Sequence, residues 1–375
     1  MLLLVSLLLV YAIFTVTRIL LTFQLGDFLI YYQSIQLILS SQSPYHNQGF
    51  VINYPPSALL FFAPFGIISY GLSEKIWISL SVLALTISIF LILKLVNKKF
   101  DILVFLLVFG LAMLSFPVKY NLGMGQVNLF ILFLASLCFY GYRTGNKNLA
   151  GVALGVASAI KLTPVFLLLF FIRKKEFKIA SAALLTVFSI TFLTIFLFGK
   201  ELWQEYLFKV FPNIPTIGND IYYNQALTGF LARIDFPSNA ARIVNYAALF
   251  LLLLTSILIT KTKRQSVLME MNEYSLFIVL SLIGVGLSWQ HHFVLLAIPF
   301  LAIFYSFRHI SKRYLKIFLP FAILGYILIS VNIKNPQVFS GVFIFLLSHV
   351  LYGTILLYIL LIRIISVLSR EKQFN

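Results

Sequence analysis

Residues 148–172 read NLAGVALGVASAIKLTPVFLLLFFI, and the topology depends on how many times this stretch crosses the bilayer. It is apolar enough and long enough to cross a bilayer once, since one crossing needs roughly 20 apolar residues. Basic clusters stand on both flanks, however: Arg143 and Lys147 before it, and Arg173, Lys174, Lys175 and Lys178 after it. Lysine and arginine gather in cytoplasmic loops, so a single crossing would put one cluster on the wrong side. Read as two short spans, 148–160 and 163–172, the stretch starts and ends inside. Lys161 then sits at an outer turn.

The composition agrees. The chain has 375 residues, 61% of them hydrophobic and 10% charged, with a mean hydropathy of +1.00. A soluble domain carries about 25% charged residues, so this is a membrane protein with no room for a soluble catalytic domain. The net charge of +17 comes from 28 Lys+Arg against 11 Asp+Glu. The cations sit in short clusters at the ends of apolar runs, which is an orientation signal rather than a nucleic-acid footprint. Cys138 is the single cysteine, so neither a disulfide framework nor a thiolate metal cluster can form.

Other apolar runs fall at about 2–22, 54–70, 76–95, 101–118, 126–142, 177–198, 240–260, 273–289, 292–307, 316–332 and 341–366. Residues 1–22 lack a basic start and a small-residue cleavage site and read as an uncleaved first helix. The basic loops Lys94/Lys98/Lys99, Lys261/Lys263/Arg264, Arg308/Lys312/Arg313/Lys316 and the tail cations Arg363, Arg370 and Lys372 join the two clusters above on the cytoplasmic side. For that to hold, 54–70, broken by Pro55, Pro56, Pro64 and Gly66, must be interfacial or re-entrant. The expectation is an all-α polytopic membrane protein of about 12 transmembrane helices. It forms a single domain over 1–375, with both termini cytoplasmic and long outer segments at 23–75 and 199–239. Interfacial helices are expected in the first of these.

The polar residues then gather on one face. GDF (26–28) opens an apolar-polar stretch suited to a helix at the interface. Asp27 stands at that helix's N-terminus, where it could cap backbone N–H groups; as one of few acids so close to lipid, it could instead serve as a general base. Tyr45 and Tyr54 could stack on a sugar or belong to the aromatic belt. In KYNLGMGQVN (119–128), Lys119, Asn121, Gln126 and Asn128 suit either a polar ligand or contacts between helices. Lys161 is placed to meet a lipid phosphate or to snorkel. Asn224, Gln225 and Arg233 follow in the second long loop, Arg233 as a phosphate clamp or a solvated loop residue. Trp289-Gln290-His291-His292 ends another outer turn. Adjacent helical residues do not share a face, so the two histidines suit a phosphate or hydroxyl better than one shared metal. No cofactor is expected. A divalent-metal requirement stays open, because Glu201, Glu205, Asp220 and Asp235 share this face.

Taken in order, GDF, SPY (43–45), NYPPS (53–57), KYNLGMGQVN, LAGVALGVASAIKLTP (149–164), NQALTGFLAR (224–233) and SWQHHF (288–293) resemble glycosyltransferase family 87, of the C-type glycosyltransferase superfamily. The resemblance implies a polyprenyl-phosphate-sugar-dependent hexosyltransferase, mostly a mannosyltransferase, working on the non-cytoplasmic face of the cell membrane. It places the catalytic base on Asp27 and suits Lys161, Arg233, His291 and His292 to the donor phosphate or acceptor. Expected partners are the lipid-linked donor, a lipid or glycan acceptor and membrane lipids. Inverting transfer needs one base and a stabilised leaving phosphate; one carboxylate and several cations on one face provide both. A transporter or flippase for lipid-linked sugars is the competing expectation. Its mark would be two related halves meeting at the midplane, and no repeat is visible.

Overall fold

The computed structural model describes residues 2–22, 25–45, 52–97, 99–216 and 220–371; Lys98 and Lys372 lie outside them. Seventeen α-helices form among the described residues. They are α1 (Leu2–Thr22), α2 (Gly26–Leu39), α3 (Pro56–Gly66), α4 (Tyr70–Val96), α5 (Ile102–Leu114), α6 (Phe116–Met124), α7 (Asn128–Thr144), α8 (Lys147–Ile160), α9 (Phe166–Arg173), α10 (Phe177–Phe198), α11 (Lys200–Glu205), α12 (Leu227–Arg233), α13 (Ser238–Ile259), α14 (Val267–Ile283), α15 (Ala297–Ser306), α16 (Lys312–Ser330) and α17 (His349–Glu371). The β pairing described is one isolated bridge, Asn224 with Trp289.

Six helical stretches are long and apolar enough to cross a membrane: Leu2–Leu21, Tyr70–Val96, Phe177–Phe198, Ser238–Ile259, Lys312–Ser330 and Gly341–Arg370. On α10 and α13, large apolar side chains such as Phe188, Phe196 and Phe250 point outward, as lipid-facing helices require. A further pair, α5 and α6, passes the same test together but bends by 68°. The break falls at Ser115, with Pro117 in the first turn of α6, where proline is tolerated. The run read at 101–118 is therefore not one straight helix, and the residues between it and the next run lie largely in helix α6, which carries Lys119, Tyr120 and Asn121.

The two stretches that resisted simple alternation are both short helices. α3 has 11 residues, about 16 Å at 1.5 Å per residue, or half a hydrocarbon core of ~30 Å. The 148–172 stretch breaks at Lys161, where α8 ends with its C-cap in extended conformation. α8 lies close against α10 because Gly151 and Gly155 face it: a Cβ on Gly151 would meet Ala182 Cβ at 2.4 Å, and one on Gly155 would meet Thr186 Cβ at 2.5 Å. Such small-xxx-small spacing lets helix backbones approach in a bilayer.

α14 is the hub, buried at every position from Met269 to Ile283. It starts before the 273 read from hydropathy, because Ser266 caps it and Glu270 and Glu273 lie inside it. Those acids are fully buried, and Lys174, itself buried, and the largely covered Arg143 meet them there. Arg143 pairs with Glu270, and Lys174 Nζ lies 3.2 Å from Glu270 and 2.5 Å from Glu273. Tyr142 donates to Glu270 at 3.0 Å, and Arg264 donates to the Arg143 carbonyl at 3.0 Å. Three of the basic loops therefore meet at one end of the bundle. α7, α8 and α14 run from there to the opposite end, where the candidate site lies.

Candidate functional site

The site is built on α2. Its Phe28, Tyr31 and Ile35 face inward, and Trp77, fully buried, receives them: the Phe28 ring lies 5.1 Å from it and the Tyr31 ring 5.9 Å. Tyr31 also stacks on Phe62 of α3 at 4.2 Å. This aromatic packing fixes how α2 presents Asp27. The capping that was open to Asp27 falls instead to Glu74 of α4, whose Oε1 accepts from the Leu25 N–H at 2.7 Å. Asp27 lies in the first turn, one residue past Gly26, and Leu25 holds the N-cap position.

The Asp27 carboxylate meets Gln126. α6 ends in a Schellman turn: Gln126 N–H donates to the Asn121 carbonyl at 2.9 Å and Gly125 N–H to the Leu122 carbonyl at 3.2 Å, with Gly125 left-handed at φ +69, as this motif favours. A Cβ on Gly125 would stand 2.6 Å from Phe28 Cβ, so only glycine lets the turn lie this close to α2. Gln126 Nε2 then donates to Asp27 Oδ2 at 2.5 Å. Gln126 Oε1 accepts from Tyr31 at 3.0 Å, Tyr54 at 3.1 Å and Asn128 Nδ2 at 3.5 Å. Asn128 Oδ1 in turn accepts from Lys161 Nζ at 2.7 Å, and that ammonium also lies over the Tyr54 ring, 5.8 Å from its centroid.

Burial raises the Asp27 carboxyl above its ordinary value, opposed by the Gln126 hydrogen bond and the Lys161 charge. At its turn, Lys161 is pushed down to about 7 by burial, with the Asp27 charge opposing. The Lys161 charge also reaches His291 and His292, whose rings lie 4.7 Å apart. Tyr120 flanks them: its ring is 5.2 Å from His291 and stacks at 5.0 Å on Tyr223. One carboxylate, one lysine and two histidines thus share one polar patch lined by tyrosines.

Other expected residues lie elsewhere. Arg233 joins a second cluster, donating to the Ile221 and Asn224 carbonyls at 3.1 and 2.7 Å and to Ser348 Oγ at 2.6 Å. Gln225 Nε2 donates to the Tyr222 and Leu347 carbonyls. Asn224 Oδ1 accepts from Ala226 and Ser288 N–H, both at 3.1 Å. Backbone bonds from Gln225 to Ser288 and from Gln290 to Tyr223 tie this cluster to Trp289-Gln290, directly behind His291. Tyr45 donates to the Tyr54 carbonyl at 2.8 Å and so orders Tyr54. Lys119 turns to α1, donating to Tyr11 at 3.1 Å. Asn121 is fully buried, and neither amide atom has a hydrogen-bond partner among the described residues. Sequence reading passed over the roles of Tyr31, Tyr120 and Tyr223; the one available signal was that Tyr31 stands four residues after Asp27, on the same face of a helix.

Beside this patch an apolar cavity of about 370 Å³ opens between α5, α6, α15 and α16. Pro117, Val118, Phe293, Val294, Phe300 and Tyr326 are among its lining residues. Phe293 directly follows His292 in the chain, so the cavity lining adjoins the histidine pair.

An all-helical membrane protein with a carboxylate, a lysine and paired histidines at one bundle end defines the class. Glycosyltransferase family 87 matches residues 50–286, and the chain belongs to that family. The matched stretch holds Tyr54, Gln126, Asn128, Lys161 and Arg233; Asp27, His291 and His292 lie outside it. Two relatives come from Mycobacterium tuberculosis. One is a polyprenol-phosphate-mannose-dependent alpha-(1-2)-phosphatidylinositol mannoside mannosyltransferase, 28% identical over 182 residues, covering 48% of this chain and 41% of the relative. The other is a polyprenol-phosphate-mannose-dependent alpha-(1-2)-phosphatidylinositol pentamannoside mannosyltransferase, 22% identical over 247 residues, covering 64% and 55%. The aligned region spans about half the length of these curated relatives.

Proposed function

We propose that this protein transfers a hexose, mannose above all, from a polyprenyl-phosphate donor to a lipid or glycan acceptor, with inversion and on the non-cytoplasmic face. The observation that carries the reading is the joining of Asp27 to Lys161 through Gln126 and Asn128, beside an apolar cavity. Asp27 takes the proton of the acceptor hydroxyl as its oxygen attacks C1 of the sugar. The bond from C1 to the phosphate oxygen breaks, and the phosphate leaves on its polyprenyl chain. Lys161, His291 and His292 stabilise the charge on the leaving phosphate, as cations and hydrogen-bond donors do where charge develops. A single displacement inverts the anomeric centre. The relatives' names support a polyprenol-phosphate-mannose donor and a glycolipid acceptor.

Within this reading the chain crosses the membrane twelve times in a C-type arrangement, with α8 and α9 as short crossings, α3 as an interfacial or re-entrant piece, and both termini cytoplasmic. The meeting of three basic loops at the far end of the bundle supports that orientation. The test compares Asp27→Asn with the wild type in proteoliposomes holding a polyprenyl-phosphate-mannose and a membrane acceptor. Loss of polyprenyl-phosphate release is expected. Retained turnover removes Asp27 as the base, and movement of intact lipid without release replaces the transferase by a transporter.

A further inference from the structure

We infer that Gln126 and Asn128 are positioning residues, which carry a fixed hydrogen-bond polarity from Lys161 to Asp27 and so aim the base, rather than substrate contacts. The inference rests on the proposed role of Asp27.

The two charged groups at the ends fix the polarity. A lysine ammonium donates and cannot accept, whereas an ionised carboxylate accepts and cannot donate. Lys161 Nζ donates at 2.7 Å, so Asn128 must present its carbonyl oxygen to it. The Asn128 NH2 is thereby turned to Gln126. Gln126 answers with its carbonyl oxygen, where two tyrosine hydroxyls also donate, and its own NH2 is left facing Asp27 Oδ2. Flipping either amide would set two donors or two acceptors against each other. An amide N–H donates a hydrogen bond but is too weak an acid to give up its proton here, so the chain orients and does not relay protons. It holds Oδ2 and leaves Oδ1 to take the acceptor's proton.

The same chain couples the two halves of the reaction. Gln126 and Asn128 are both buried, at 7% and 1% exposure, so water does not readily replace a lost partner. When a donor phosphate draws on the Lys161 ammonium, the Asn128 carbonyl loses part of its donor, and the hold on Gln126 and Asp27 changes with it. The other groups facing Asp27 are Tyr31 on its own helix, Tyr54 before α3, Tyr120 on α6 and the Lys161 charge.

The experiment compares Gln126→Met and Asn128→Leu with the wild type and D27N in proteoliposomes, following kcat, both KM values and the pH profile. A hydrogen bond to the charged form favours that form, so Q126M is expected to move the acid limb of kcat/KM to higher pH. It should also lower kcat by about 10²-fold, the scale of a misaimed catalytic group, with donor KM held. N128L touches neither Asp27 nor its hydrogen bond, yet should move the same limb by less. The midpoint of a limb does not depend on how much of a variant is folded. An unmoved limb and kcat in Q126M overturn the inference. So does a raised acceptor KM with kcat intact, which would make Gln126 a substrate contact. Retained turnover in D27N instead overturns the base assignment itself, so the two failures are told apart.

Discussion

Lys161 Nζ lies 2.7 Å from Asn128 Oδ1, although 33 residues separate them and Lys161 stands where an apolar stretch breaks. The lysine is therefore held toward the Asp27 side of the bundle rather than extended along its surface. Replacing Lys161 by Met is expected to raise the donor KM by 10- to 100-fold, corresponding to a charge-assisted hydrogen bond of about 1.5–3 kcal/mol. K161R should restore it only in part, because a planar fork replaces a compact point charge. Steady-state kinetics with varied donor decide; an unchanged donor KM in K161M removes Lys161 from the phosphate site.

The pH profile follows from the same two groups. Asp27 must be ionised to act as a base, and its raised value sets an acid limb above the ordinary carboxylate range. Lys161, pushed down to about 7, loses its charge as pH rises through that value, and donor capture falls with it. The expected kcat/KM curve is a bell with its alkaline limb near pH 7. A bound phosphate favours the ammonium, so at saturating donor the limb in kcat should lie higher. An alkaline limb that persists unaltered in K161M would assign it to another group.

Arg233 donates to two carbonyls and Ser348, which makes it a brace behind the Trp289–His292 segment. Arg233→Gln should lower stability by about 1–3 kcal/mol, since buried acceptors lose their donor, and should lower kcat without a selective rise in donor KM. Thermal unfolding in detergent together with donor titration measures both. A donor KM that rises while the unfolding midpoint stays fixed would restore Arg233 as a phosphate clamp.

At the far end of the bundle, Lys174 lies between Glu270 and Glu273 with almost no exposure. Lys174→Met leaves two buried carboxylates short of a partner and should cost about 3–5 kcal/mol. Adding Glu273→Leu should recover part of the loss, because removing both members of a buried pair is milder than removing one. Chemical unfolding of the single and double variants checks this; a double variant weaker than K174M alone would contradict the pairing.

The sequence by itself determined that this is a helical membrane protein and that 148–172 breaks at Lys161, and it raised the expectation that the basic loops share one side. Hydropathy, charge and proline spacing are local properties, and they survive in one dimension. It also singled out Asp27 and Lys161 as charges costly to keep near lipid, and Gln126 and Asn128 as polar groups suited to a ligand or to contacts between helices. Their partnership was decided only in three dimensions. Gln126 meets Asp27 across 99 positions because a left-handed Gly125 lets the end of α6 lie against Phe28, and α2 is held there by Trp77. Arg233 shows the converse: its charge suggested a phosphate, while its neighbours turned out to be carbonyls. Charge says what a side chain can bind; the packing of distant helices sets which partner it meets.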